Sequence, residues 1–436
     1  MSARVDWSSA PAGPLRGEIE VPGDKSISHR AVMLAALADG VSEIDGFLEG
    51  EDTRATAAIF RALGVRIEAP SPARRIVHGV GIGGLAPASD DLDCGNSGTA
   101  MRLLAGLLAG QAFDSRLVGD ASLSRRPMRR VVDPLRAMGA RIADAGDGCP
   151  PLSITGQARL RGLAHAPEVA SAQVKSALLL AGLYAKGETR VAERHPTRDY
   201  TERMLAAFGW PIRYRPGVAE LSGGHRLRAT GMHVPGDFSS AAFFLVAASV
   251  VPGSRLLLRG VGLNPRRTGL LEVLRAMGAD IREHAAREQG GERVADLEVR
   301  HAPLQGIDVP PALVPDMIDE FPALFVAAAA ASGRTRVSGA AELRVKESDR
   351  IAVMASGLRA LGIDVVETPD GALIEGGRCA GGEVDSAGDH RIAMAFTVAG
   401  LVASGALRIR DCANVATSFP GFAELARRAG FGLIDA

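Results

Sequence analysis

The sequence repeats itself at a period of about 70 residues. A helix-period run, closed by a hydrophobic residue, a glycine and a short alternating stretch, occurs six times. It reads LGVRIE from Leu63, MGARIA from Met138, FGWPIR from Phe208, MGADIR from Met277, LGIDVV from Leu361 and AGFGLI from Ala429. Glycine just past a helix is the favoured left-handed cap, and alternation after it suits a strand. A second series interleaves with the first. Its helices are rich in Ala and Leu, nearly free of charge, and end at Gly40, Gly110, Gly187, Gly253, Gly333 and Gly405. So little charge on any face predicts helices buried almost all round. One glycine after a helix is unremarkable, but two series in phase predict one supersecondary unit used six times. Each unit carries two helices and several strands, which makes the chain α/β. VPGDKS from Val21 and VPGDFSSA from Val234 open the first and fourth units. The six therefore divide into three and three, with boundaries near residues 22 and 235.

The length of 436 residues agrees with more than one domain, since single cores stop growing well below it. The 50 basic residues balance 50 acidic ones, which argues against a nucleic-acid or membrane-surface binder. An anionic ligand would have to be held by a local cluster of cations. Apolar runs such as residues 321–331 fall short of the roughly 20 residues that span a bilayer, and no apolar segment opens the chain. Cys94, Cys149, Cys379 and Cys412 lie far apart without metal-ligand spacing, so neither a disulfide framework nor a zinc site is expected. His195 and His390 have no partner at metal spacing either. These features predict a soluble, cytoplasmic protein without a bound metal.

Polar residues collect where the uncharged helices begin: DKSISHR from Asp24, GNSGTAMR from Gly95, SAQVKSA from Ser171, GDFSSA from Gly236, DEFP from Asp319 and DHRIAM from Asp389. Such residues are ordinary N-caps, and any one start taken alone reads that way. Capping does not explain why Lys25, Arg30, Arg102, Lys175 and Arg391 recur within a turn or two of them. Helix starts with nearby cations suit anions. RVKESDR brings Lys346, Glu347 and Arg350 within five residues, a carboxylate for proton transfer flanked by cations. SLSRRPMRR reads half as a ligand site, half as a solvated face at Arg129 and Arg130. GVGIGG from Gly79 fits the dinucleotide fingerprint but is followed by LAPASDD, not by a helix. GDKS from Gly23 lacks the first glycine of a phosphate-binding loop.

Eight motifs in order, PGDKSISHR, GNSGTAMR, SRRP, SAQVKSALLLAG, PGDFSSAAFF, MIDEFP, RVKESDR and DHRIAMAF, resemble those of the 5-enolpyruvylshikimate-3-phosphate synthase family along nearly the whole chain. The resemblance implies two similar domains, each an inside-out α/β barrel of three βαβαββ units. One would comprise residues 1–22 and 235–436, the other residues 23–234. It implies transfer of the enolpyruvyl group of phosphoenolpyruvate to the 5-hydroxyl of shikimate 3-phosphate, with no metal or organic cofactor. A monomer acting on these two small substrates, with no nucleic acid or membrane partner, is expected.

By the same resemblance Lys25, Ser26, Arg30, Ser171, Ala172, Gln173, Arg198, Asp319 and Lys346 would contact shikimate 3-phosphate. Lys25, Gly98, Arg126, Gln173, Arg350 and Arg391 would contact phosphoenolpyruvate. Asp319, Glu347 and Lys25 would form the catalytic centre, Asp319 as proton acceptor. Three positions depart from the family pattern: Thr197 stands where one branch has an aromatic residue, Tyr200 where another has His, and Thr417 where the first has Lys. The family also binds glyphosate in place of phosphoenolpyruvate, and tolerant members carry Ala where this chain has Gly98, which predicts sensitivity here. SAQVK and Thr417, both found in the tolerant branch, pull the other way.

Two rivals remain. The sister transferase acting on UDP-N-acetylglucosamine pairs its first Lys with Asn and carries a reactive Cys near the SLSRRPM region. Here Ser26 follows Lys25, and no Cys lies between 95 and 148. A non-catalytic phosphosugar-binding protein on the same scaffold would have no use for both Asp319 and Glu347.

Overall fold

The structure is a computed structural model that describes residues 5–156 and 159–435. Among these residues there are twelve α-helices: α1 (Lys25–Leu37), α2 (Glu51–Ala62), α3 (Gly98–Leu108), α4 (Arg129–Ala137), α5 (Ala172–Gly182), α6 (Tyr200–Ala207), α7 (Phe238–Val250), α8 (Gly269–Ala276), α9 (Phe321–Ala330), α10 (Arg350–Ala360), α11 (His390–Gly400) and α12 (Phe422–Arg428). The odd-numbered helices are the Ala- and Leu-rich ones, and they are buried nearly all round. α11 is buried at every position and α7 at all but its last residue. The even-numbered helices bury one stripe, as in α8, where Leu270, Leu271, Val273 and Leu274 face inward and Glu272 and Arg275 do not.

The six glycines of the first series follow the even-numbered helices, all with φ between 80° and 101°. An L side chain there would cost roughly 1–2 kcal/mol, so glycine marks each turn into the next strand. The second series is less uniform than expected. Gly187, Gly253 and Gly333 turn at φ 90°, 73° and 81°, but Gly40 lies inside the strand Ala38–Asp45, which follows α1 directly. Gly110 and Gly405 have no left-handed backbone. At Gly110 the reason for glycine is space, because a Cβ would collide with the Tyr184 ring.

The chain is a mixed α/β protein whose strands form six small sheets of three to five strands, counted among the described residues. One stretch shows the order. Strand Leu92–Asp93 leads through α3 to a parallel partner, Ser115–Val118, and α4 then leads to the antiparallel strands Arg141–Ala143 and Leu152–Thr155. Residues 164–222 repeat this order around α5 and α6. Some sheets are completed from far along the chain. Strand Arg16–Glu20 runs parallel to Arg255–Gly262, and Trp7–Ala10 lies between Leu407–Arg410 and Gly432–Asp435.

The chain divides into two compact units. One comprises Met1–Pro22, Pro235–Glu288 and Arg293–Ala436; the other comprises Gly23–Val234 and Gln289–Glu292. Each unit has its own apolar core. In the first, Trp7, Phe243, Phe244, Phe419 and Phe431 surround Phe422, with Trp7 stacked on it at 5.7 Å. This cluster ties the first strand to the last helix of the chain. No helix among the described residues is long and apolar enough to cross a membrane.

Candidate active site

Most of the polar helix starts do cap their helices. Asp24, Ser97, Ser171, Asp237 and Asp389 each accept a hydrogen bond from a main-chain N–H in the first turn. The cap reading was therefore correct for these five side chains, and the cations beside them require a separate account. The exception is α9. Its N-cap position is Glu320, whose side chain makes no capping bond, and Asp319 stands one residue earlier. Both carboxylates turn instead to arginine.

In the second unit the starts of α1, α3 and α5 supply the polar residues. Lys25, the first residue of α1, pairs with Asp52 of α2 at 3.0 Å. Asp24 accepts from Ile27 N at 2.8 Å and from the Tyr200 hydroxyl at 3.2 Å. Arg30 is buried, yet its guanidinium donates to neutral oxygens: Thr201 Oγ1 at 2.7 Å, Ser176 Oγ at 2.8 Å and the Ser26 carbonyl at 2.9 Å. Burial and then the nearby charge of Arg198 lower its pKa to about 10. Two guanidinium groups close together, with no carboxylate bonded directly to Arg30 among the described residues, favour an added anion.

Gln173 links two helices. Its amide donates to Thr99 Oγ1 at 2.9 Å, and its oxygen accepts from Arg102 Nη1 at 2.7 Å. Ser171, the N-cap of α5, and Ala172, its first residue, stand half-buried just before it. Gly98 opens α3, and a Cβ on it would meet Arg102 Nη1 at 3.0 Å and Arg126 Nη1 at 3.3 Å. Arg126 in turn donates to Asn96 Oδ1 at 2.7 Å.

Behind these groups Lys175 pairs with Glu193 and Glu202, each at 2.9 Å, and all three side chains are nearly inaccessible. Burial alone would lower the Lys175 pKa, but Glu202 and Glu193 outweigh it and hold the pKa above its usual value. Lys175 also donates to the Thr197 carbonyl at 3.2 Å, and Thr197 N–H donates to Glu193 at 3.2 Å. This network fixes the segment that ends in Arg198. Thr197 thus has a structural partner in place of an aromatic ring, and Tyr200 holds the cap of α1.

In the first unit arginines converge on Asp319. Arg267 Nη1 reaches Oδ2 at 2.9 Å, Arg350 Nη1 approaches Oδ1 at 3.6 Å, and Arg391 donates to the Asp319 carbonyl at 3.2 Å. Arg350 is fully buried, bonded to Asp389 at 2.8 Å and to Glu347 at 2.6 Å. Burial would lower its pKa, but Asp389, Glu347 and Asp319 outweigh this and keep it firmly charged. Lys346 and Glu347 lie half-buried in the turn before α10. Thr417 donates to the Asn414 carbonyl at 2.7 Å.

The second unit thus brings together Lys25, Ser26, Arg30 and Arg198, and separately Gly98, Arg126 and Gln173. The first brings together Asp319, Glu347, Arg350 and Arg391. Sequence reasoning missed Arg267, Glu320, Asp52 and Glu193. Arg267 stands in NPRRTG, the polar start of α8. Searching the starts of the even-numbered helices as well would have found it. The dinucleotide-like glycines from Gly79 leave a strand and enter a loop, as their context required. Gly23 is needed because a Cβ there would strike the Gly46 carbonyl. Arg129 lies on an exposed face.

The chain is similar throughout to proteins of one kind. The family described as EPSP synthase (3-phosphoshikimate 1-carboxyvinyltransferase) matches residues 10–425. The 3-phosphoshikimate 1-carboxyvinyltransferase of Xanthomonas axonopodis pv. citri is 69% identical over 432 residues, 99% of this chain and 98% of that one. The EPSP synthase structure from Acinetobacter baumannii is 51% identical with a TM-score of 0.90, covering 99% of this chain and 100% of that chain. The enolpyruvyl transferase NikO from Streptomyces tendae shares the fold at 18% identity, with a TM-score of 0.80 and 99% of each chain covered. The chain belongs to the EPSP synthase family, the 3-phosphoshikimate 1-carboxyvinyltransferases.

Proposed function

We propose that the chain carries out its family's reaction with the side chains described above. The 5-hydroxyl oxygen of shikimate 3-phosphate bonds to C2 of phosphoenolpyruvate and loses its proton, while C3 gains one. The resulting tetrahedral intermediate then loses a proton from C3 and breaks its C–O bond to phosphate, leaving an enolpyruvyl ether and inorganic phosphate. One group must accept a proton and another must donate one.

The observation that carries this reading is Asp319, a carboxylate that caps no helix and has arginine contacts on both of its oxygens. A carboxylate flanked by two guanidinium groups suits the role of base towards the hydroxyl. Glu347 is assigned as acid towards C3. Its pairing with Arg350 favours its charged form, so it must gain its proton as the substrate anion competes for that arginine. Lys25 is the alternative carrier for either proton.

Arg30 and Arg198, with Lys25, Ser26, Ser171, Ala172 and Gln173, are assigned to shikimate 3-phosphate, Lys346 and Asp319 completing the set. Gly98, Arg126, Gln173, Lys25, Arg350 and Arg391 are assigned to phosphoenolpyruvate. Each substrate bears a phosphate and a carboxylate, and several cations are needed to offset them. We read each unit as a domain of three βαβαββ units wound as an inside-out barrel, because each contributes three buried helices. The chain would act as a cytoplasmic monomer on two small anions.

The UDP-N-acetylglucosamine alternative requires a reactive thiol. Cys94 is fully buried, and Cys149 has its pKa raised by burial and then by Asp147, so neither is poised as a thiolate.

The test is turnover in deuterated water. Addition–elimination predicts deuterium in the vinyl group of the product, and in recovered phosphoenolpyruvate only when shikimate 3-phosphate is present. A product free of deuterium, or no product at all, would refute the scheme.

A further inference from the structure

Arg267 belongs to none of the motifs that carry the family resemblance, yet its guanidinium meets the Asp319 carboxylate at 2.9 Å. Its side chain is 5% exposed and its fork is held from several sides. Nη2 bonds to Ser239 Oγ and lies 3.6 Å from Asp237, while Nη1 lies 3.5 Å from Glu320 and 2.9 Å from Asp319 Oδ2. Ser239 donates to Glu320, which closes the network. Three carboxylates therefore share one guanidinium, and each contact limits how the fork can rotate. Glu320 is fully buried, and burial raises its pKa with the Asp319 charge adding to the effect, although Arg267 opposes both.

We infer that Arg267 is a positioning residue for Asp319, holding one carboxylate oxygen so that the base keeps a fixed rotation, with Ser239 and Glu320 holding Arg267 in turn. The inference rests on the assignment of Asp319 as proton acceptor. Its physical basis is that a base misplaced by about 1 Å can lose on the order of 10² in rate. Lysine cannot fully replace this fork, because a single ammonium lacks the planar geometry that meets Ser239 and three carboxylates together.

Removing the charge would also allow Asp319 to take up a proton more easily. Arg350 of α10, Arg391 of α11 and its own neighbour Glu320 are among the charged groups that face it. Glu347 and Asp389 act on it through Arg350, and Asp237 through Arg267 itself. Loss of one close cation raises a carboxylate pKa by about one unit or more. A base works only when deprotonated, so the acid limb of the kcat profile should then move to higher pH.

The experiment compares Arg267→Met, Arg267→Lys and the native enzyme with both substrates, with thermal unfolding recorded for each. Arg267→Met should lose about 10²-fold in kcat with both KM values within about threefold, and its acid limb should rise by about one pH unit. Arg267→Lys should lose about tenfold, with the limb where the native enzyme has it. A folded Arg267→Met with native kcat, or with lower kcat and an unmoved limb, overturns the inference. If Arg267→Met does not fold, a native kcat in Arg267→Lys overturns it instead. Should the native enzyme itself fail to turn over, the assignment of function is wrong and not this inference.

Discussion

Replacing Gly98 by Ala adds one methyl at a point where two arginine ends are already close. The new carbon would stand 3.0 Å from Arg102 Nη1 and 3.3 Å from Arg126 Nη1, so both ends must retreat by a few tenths of an ångström. Each is tethered by a 2.7 Å bond, to Gln173 and Asn96, and such bonds survive stretching by that amount. Gly98 is the first residue of α3 and has no positive φ, so the fold should hold and gain about 0.4–1 kcal/mol from the stiffer unfolded chain. Catalysis should suffer more. On the proposed assignment of Arg126 to phosphoenolpyruvate, its displacement should cost about 1 kcal/mol of a charge-assisted bond, and KM should rise roughly fivefold. Glyphosate, being longer, also loses the space of the methyl, an overpacking cost of about 1–3 kcal/mol. Its inhibition constant should therefore rise about 10²-fold. The assay is competitive inhibition against phosphoenolpyruvate at saturating shikimate 3-phosphate, for native enzyme and Gly98→Ala. The native enzyme should be sensitive, and the ratio of inhibition constant to KM should rise at least tenfold in the variant. An unchanged ratio, or a native enzyme as tolerant as the variant, refutes the steric argument.

Asp319→Ala and Glu347→Ala should each lower kcat by roughly 10² or more while substrate affinity stays within a few fold; a variant with near-normal kcat was assigned wrongly. Lys175→Met leaves Glu193 and Glu202 buried without their cation, and should cost about 3–5 kcal/mol in denaturant unfolding. A loss below 1 kcal/mol would mean that the two carboxylates are relieved some other way. Glu298 has its pKa lowered from 4.5 to about 2, chiefly by the Arg255 hydrogen bond, with Arg300 and His284 adding to it. A depressed folded pKa stabilises above the unfolded value and is lost as pH falls from about 4.5 towards 2. Glu298→Gln should therefore have a lower urea midpoint than the native protein at pH 6, and the gap should close as the pH falls through 4.5.

What could be read from the sequence was local. A glycine forced to positive φ after a helix is a steric requirement of a few neighbouring residues, which is why the first series was found at all six turns. Burial of the uncharged helices followed from composition in the same way. Contacts between distant positions were not readable. Arg267 meets Asp319 across 52 residues, Lys25 meets Asp52 across 27, and nothing near either signals its partner. The pairing of Trp7–Ala10 with strands near the end of the chain is of the same kind. At DEFP the sequence could not separate capping from chemistry, because an acidic residue at a helix start serves either. The backbone there puts Glu320 at the cap position without a capping bond and leaves Asp319 beside Arg267. Gly110 misled for a physical reason: close packing against Tyr184 can demand glycine as strictly as a left-handed turn does, whereas nothing in the structure explains glycine at 405.

The central claim is the identity of the acceptor that receives the enolpyruvyl group. Release of inorganic phosphate from phosphoenolpyruvate, measured in parallel with shikimate 3-phosphate and with UDP-N-acetylglucosamine, tests it most directly. The account predicts steady turnover with shikimate 3-phosphate, loss of about 10²-fold or more in Asp319→Ala, and no release above background with the nucleotide sugar. Turnover with the nucleotide sugar, or tight binding of shikimate 3-phosphate without phosphate release, would contradict it.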